Sequence, residues 1–94
     1  MAAYTMVRVD VHDAETYAKY AELASKAVEE FGGEFLVRGG KCEHREGQGR
    51  ARNVIVRFKD FETAQAWYDS PTYQEALSHG LPSSTRDFTI VEGV

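Results

Sequence analysis

Apolar and polar residues alternate from Thr5 to Val11 (TMVRVDV), with Val7, Val9 and Val11 on one side and Met6, Arg8 and Asp10 on the other. A period of two predicts a half-buried strand. His12 and Asp13 end it, and Asp13 is placed to cap a helix whose first turn holds Glu15, a charge that suits the helix dipole. Apolar positions then recur at three- and four-residue steps: Tyr17, Tyr20, Ala21, Ala24, Ala27, Val28 and Phe31. They form one stripe on a helix of about five turns. Gly32-Gly33 stops it, because glycine accepts the left-handed backbone that closes a helix.

Glu34 to Val37 reads as a second strand running into Arg38-Gly39-Gly40. Lys41 to Glu46 reads as its exposed, polar continuation, up to a turn at Gly47-Gln48-Gly49. Asn53 to Lys59 is a third strand, with Val54, Val56 and Phe58 on one side. Asp60 caps a second helix carrying Ala64, Trp67 and Tyr68. Ser70-Pro71 breaks it, since the residue before proline avoids the helical region. Pro71 opens a short third helix with Tyr73 and Leu77. His79, Gly80, Pro82 and the following serines read as a loop, and Asp87 to Glu92 as a fourth strand ended by Gly93.

The chain echoes itself at half its length. Val7, Val9 and Val11 fall on Val54, Val56 and Phe58. Asp13, Glu15 and Thr16 fall on Asp60, Glu62 and Thr63, and Tyr20 falls on Trp67. Two stacked β-α-β halves predict one α+β domain over residues 1–94, with the ferredoxin-like order βαββαβ. Its helices cover one face of a four-stranded antiparallel sheet. The other face then carries Tyr4, Met6, Arg8 and Asp10 with Asn53, Ile55 and Arg57. Water can cover a mixed face of this kind. Tyr4, Met6 and Ile55 gain nothing from water, however, so the expected cover is a second copy, giving a homodimer through sheet-to-sheet packing. A chain this short also gains stability from an interface.

Composition narrows the function classes. The 94 residues are 43% hydrophobic and 28% charged, as in a globular domain. Eleven Lys and Arg against 15 Asp and Glu give a charge of −4 with no like-charged run, so no nucleic-acid partner is expected. No apolar stretch reaches bilayer length and no leader pattern opens the chain, so no membrane partner is expected either. Cys42 is the single cysteine, which leaves no internal disulfide and makes a cytoplasmic location the expectation.

Three phrases carry a family resemblance: GGEFLVRGG (Gly32 to Gly40), NVIVRFKDFETAQAWYDSPTYQEA (Asn53 to Ala76) and DFTIVEGV (Asp87 to Val94). With Tyr17 and Tyr20 they resemble the domain-of-unknown-function 1330 family over nearly the whole chain. The resemblance implies a dimeric α/β barrel made by two ferredoxin-like subunits. It implies no established reaction. Related dimeric barrels include cofactor-free monooxygenases, haem-degrading enzymes and lactone isomerases, and a shared fold does not fix function. Similar members often carry an arginine a few residues after the Tyr-Gln pair. Here Ser78 to Thr85 has none, and the next is Arg86, so His79 or Arg86 takes that role or it is lost.

The candidate chemistry is sparse. Arg38, beside two glycines, is suited to gripping a carboxylate with two parallel hydrogen bonds; the plain alternative is an ion pair with Asp87 or Glu92. Trp67 and Tyr73 are candidate pocket walls, against the plainer role of helix-to-sheet core. His79 and Tyr73 are the candidate proton-handling groups. Ser70 reads as a helix cap, with no neighbouring base to make it a nucleophile. His12, His44 and His79 are scattered and Cys42 stands alone among charged neighbours, so no metal site is expected, and no motif calls for a cofactor. Two readings follow. One is an enzyme acting on a small organic acid or aromatic compound. The other is a non-catalytic metabolite-binding or assembly module.

Overall fold

A computed structural model describes residues Met1–Val94. Seven elements follow in order: β1 (Ala3–Val11), α1 (Ala14–Glu30), β2 (Glu34–Arg38), β3 (Arg52–Phe58), α2 (Phe61–Asp69), α3 (Pro71–Ser83) and β4 (Ser84–Glu92). The strands form one sheet in the order β2-β3-β1-β4, and every neighbouring pair is antiparallel. This is the ferredoxin-like topology that the repeated halves predict.

The caps are those the sequence marks. The Asp13 carboxylate accepts the amide of Thr16, and Asp60 accepts that of Thr63. The Ser70 hydroxyl accepts the amide of Tyr73, with Pro71 opening α3. Gly32 closes the first helix turn at φ +67°, where a side chain would be strained.

The core lies between the three helices and one sheet face. Ala3, Thr5, Val7 and Val9 of β1 point into it with Val56 and Phe58 of β3. Tyr17, Tyr20, Ala24, Ala27 and Val28 cover them from α1, Ala64 and Trp67 from α2, and Tyr73, Ala76 and Leu77 from α3. Burying this much apolar surface is the main force holding the layers together.

The sheet's other face carries no helix. Strand register places Val37, Ile55, Met6 and Thr89 in one row across it, and Arg57, Tyr4 and Val91 in the next. Asn53, Arg8 and Asp87 form a third, polar row.

Four expectations need correction. Val11 is 38% exposed rather than in the core, because β1 there has run past the helices. Lys41 to Glu46 does not extend β2. The segment from Gly39 to Ala51 is irregular, held by Arg50, which bridges Asp10 and Asp87 at 2.9 Å each. These contacts keep both carboxyls below the usual carboxylate range, chiefly through the Ala51 amide and Arg50 at Asp10 and through Arg50 at Asp87. Nor is His79 to Ser83 a loop: α3 runs through it. The helix runs through Pro82, and serine hydroxyls cap the carbonyls of its last turn. Ser83 donates to the carbonyls of His79 (2.7 Å) and Gly80 (3.2 Å), and Ser84 to that of Gly80 (2.6 Å). Consequently β4 starts at Ser84, three residues before Asp87.

Candidate small-molecule site

Helix α1 lies over the sheet through residues of unequal size. Tyr17 and Tyr20 are bulky, whereas Ala21, Ala24 and Ser25 are small. Beneath them stand Thr5, Val7, Val54 and Val56, also short. Short side chains on both layers leave a gap, a cavity of about 60 Å³. That is room for about two waters at roughly 30 Å³ each, so a larger molecule would enter it only in part. Phe35 and Arg38 of β2 and Arg52 of β3 line it at the sheet edge, and Trp67 of α2 lines it as well.

Its walls hold polar atoms that nothing satisfies. The Thr5 hydroxyl, Trp67 Nε1 and Arg52 Nε are all buried without a hydrogen-bond partner. Thr5 is 0% exposed and Trp67 2%. Buried polar groups are nearly always paired, and all three of these atoms belong to residues that line the one cavity.

The arginines here are free of carboxylates. The chain's salt bridges use Arg45 and Arg50 only. Arg38 is exposed at the cavity edge and lies over the Phe35 ring, 3.6 Å from its centre. Arg52 lies against Gly39, where any Cβ would run into its guanidinium, and Gly39 itself sits at φ +67°. The glycine therefore makes room for an arginine of the site.

Behind the cavity a second polar cluster ties three elements. The Tyr20 and Tyr73 hydroxyls are 2.8 Å apart, and Arg86 Nη2 donates to both, at 2.9 and 2.8 Å. Burial, with Tyr20 beside it, pushes the Tyr73 hydroxyl far above the ordinary phenol range, and Arg86 only partly opposes this. Tyr73 is thus neutral at any physiological pH. Tyr17 is shifted the same way by burial and by Tyr20, with Arg52 opposing. Burial works against the Arg86 charge, but the tyrosine oxygens outweigh it and hold the guanidinium firmly protonated.

Of the residues singled out from sequence, Arg38 and Trp67 line the same cavity. Arg38 is paired with neither Asp87 nor Glu92. Tyr73 does not reach the cavity. Its ring packs on Trp67, with centroids 4.2 Å apart, and its hydroxyl is spent on Tyr20 and Arg86. His79 is half-buried on α3, away from the cavity wall. Cys42 is exposed, 4.0 Å from the His44 ring. Sequence reasoning missed Arg52 and Thr5. Both break an otherwise apolar alternation on the helix-facing side, Arg52 two residues before Val54 and Thr5 two before Val7, and that break was the available signal.

A four-stranded antiparallel sheet with helices on one face and a cavity beneath α1 defines a ferredoxin-like α+β domain. Within that class the chain belongs to the family described as Domain of unknown function (DUF1330), whose model matches residues 2–94. No curated protein matches the chain. Among solved structures it is similar to a dimeric ferredoxin-like protein of unknown function from Jannaschia sp. CCS1, with 16% identity, 99% of this chain and 100% of that one covered, and a TM-score of 0.77. A protein of unknown function from Rhodopseudomonas palustris gives 15% identity, 99% and 82% coverage, and a TM-score of 0.74. A variant of SnoaB, a cofactor-independent oxygenase from Streptomyces nogalater, gives 15% identity, 98% and 92% coverage, and a TM-score of 0.66.

Proposed function

We propose that the protein is a homodimeric module that binds a small organic acid, one molecule per subunit, in the cavity beneath α1. The observation that carries this reading is a wall of unsatisfied donors and uncompensated arginines with no carboxylate in it. An anion with oxygen acceptors answers both deficits. The wall's titratable side chains are Tyr17, Tyr20, Arg38 and Arg52. The wall holds no histidine, carboxylate, lysine or cysteine to take a proton from a ligand, which favours binding over catalysis. No helix is long and apolar enough to cross a membrane. The lone exposed thiol fits a reducing, cytoplasmic setting.

Dimerisation rests on the apolar row Val37, Ile55 and Met6 across the uncovered sheet face, and on the dimeric state of the Jannaschia protein. Two such faces packed together would make the α/β barrel. The cavity lies on the opposite side of the sheet, so each subunit keeps its own site.

A second reading, an enzyme acting on a small organic acid or aromatic compound, is favoured by the fold likeness to SnoaB. It requires that the bound compound be consumed, and assay of a bound acid for turnover in the presence of oxygen separates the two.

The binding reading is tested by thermal shift with a panel of small carboxylates. A ligand at a hundred times its dissociation constant stabilises by about 2.7 kcal/mol. The shift is expected to shrink in Arg38→Ala and to vanish in Arg52→Gln. A full shift in both variants refutes the arginine grip.

A further inference from the structure

Of the four buried side-chain atoms without a partner in the whole chain, three belong to residues that line this one cavity: Thr5 Oγ1, Arg52 Nε and Trp67 Nε1. They do not lie at equal depth. Arg38 is exposed and Arg52 half-buried, both at the edge of the sheet, whereas Thr5 and Trp67 are sealed from water. The cavity thus has cationic residues, Arg38 and Arg52, on its more exposed side and the neutral, fully buried Thr5 and Trp67 elsewhere in its wall; register sets Val54 and Val7 level with Arg38 and Val56 level with Thr5.

Hydrogen-bond inventory fixes what fits each end. Indole Nε1 is a donor only, and so is guanidinium Nε; a threonine hydroxyl donates or accepts. The cationic side suits a carboxylate. Trp67 and Thr5 need an acceptor too, but no arginine among the lining residues is buried as they are to offset a second charge, and an unpaired buried charge is costly. Their acceptor is therefore an uncharged oxygen, a carbonyl or a hydroxyl, which can take the Trp67 N–H and the Thr5 O–H together. The valines demand an apolar link.

Resting on the reading that the cavity binds a small organic acid, we infer that its ligand is a short oxo- or hydroxycarboxylate. The carboxylate lies at Arg38 and Arg52. A neutral oxygen, separated from it by an apolar link, lies at Trp67 and Thr5. Trp67 and Thr5 select for that inner oxygen, because a ligand lacking it leaves both donors buried and unpaired.

Trp67 is the only tryptophan, so its indole N–H gives a single nitrogen–proton NMR signal that reports on this part of the wall alone. The test titrates the full chain with four probes of matched chain length: levulinate, pentanoate, glutarate and methyl propyl ketone. Affinities come from calorimetry and the indole signal is followed alongside. Levulinate is expected to bind at least tenfold tighter than the other three and to move the indole proton downfield. Thr5→Val, which keeps the side chain's shape, is expected to erase most of levulinate's advantage while leaving the affinity for pentanoate unchanged; Trp67→Phe serves as the second variant. If pentanoate binds as well as levulinate, or the indole signal stays put, the inner-oxygen inference is overturned while acid binding stands. Glutarate binding as tightly as levulinate overturns the uncharged inner oxygen. Equal binding by the ketone overturns the carboxylate end. If none of the four binds, the acid-binding reading itself falls, and the inference with it.

Discussion

Thr5 is the third residue of β1, with its hydroxyl sealed in and bonded to nothing. A buried hydroxyl in that state costs about 1–3 kcal/mol relative to a paired one, and an isosteric methyl avoids the cost. Thr5→Val should therefore raise the stability of the ligand-free protein by about 1 kcal/mol, read as a higher urea midpoint with an unchanged slope. A lower midpoint would mean that the hydroxyl has a partner in solution. Under the proposed binding role, a stabilising change at Thr5 is the pattern expected of a site kept for a ligand at some cost to the fold. At this scale the sequence was informative but easily misread. Arg38 and Trp67 could be named because one stands beside glycines and the other near a helix break. Arg52 escaped because the third strand was begun at Asn53, one residue late, which put the arginine outside the alternation. Tyr73 was assigned to a pocket wall when its hydroxyl is committed to Tyr20 and Arg86, a three-element contact that no local pattern encodes.

Among the elements, α3 departs furthest from local expectation. Gly80 and Pro82 both discourage a helix interior. Yet Gly80 faces the Tyr20 ring, where an added Cβ would lie 2.6 Å from Cδ1. The glycine lets α1 and α3 approach. Two effects compete in Gly80→Ala: about 1 kcal/mol of helix propensity gained, against about 1–3 kcal/mol of overpacking. Tyr20 cannot swing aside without breaking its hydrogen bonds to Tyr73 and Arg86, so overpacking wins. The variant should melt lower, by several degrees for a domain of this size. A higher melting temperature would show that the helices separate freely. The other elements were legible because their signals are short-range: Asp13, Asp60 and Ser70 as caps, period two in β1 and β3, and an apolar stripe in α1. The serines that cap the last turn of α3 act on carbonyls three and four residues back, and their effect appears only once the helix exists.

For the whole molecule, the open question is what covers the bare sheet face. The row Val37, Ile55 and Met6 spans three strands, with the polar row Asn53, Arg8 and Asp87 on one side and the mixed row Arg57, Tyr4 and Val91 on the other. An apolar centre with a polar rim is the usual anatomy of an interface between folded partners. Sedimentation at micromolar concentration should give twice the mass of one chain, and Ile55→Glu should give one chain's mass with the circular dichroism of the folded protein intact. A wild-type protein that sediments as a single chain refutes the dimer. The topology was visible from the half-length repeat, since strand, cap and helix recur in order. That Tyr4, Met6 and Ile55 share the uncovered face was visible from the same alternation. The register that lines those rows up across the sheet is set by tertiary pairing and had to be seen.

Consecutive residues of β1 serve different masters. Thr5 and Val7 look toward the cavity, while Tyr4 and Met6 look toward the bare surface. In the proposed dimer, β1 and the neighbouring β3, each hydrogen-bonded on both flanks, form most of the partition between a chamber and a neighbour. News of an occupied chamber could reach the neighbour only by sliding or buckling that partition, and a fully bonded ladder resists both. The two chambers of a pair should accordingly fill as strangers, each blind to the other, leaving either side of the partition free to change without rewriting its opposite.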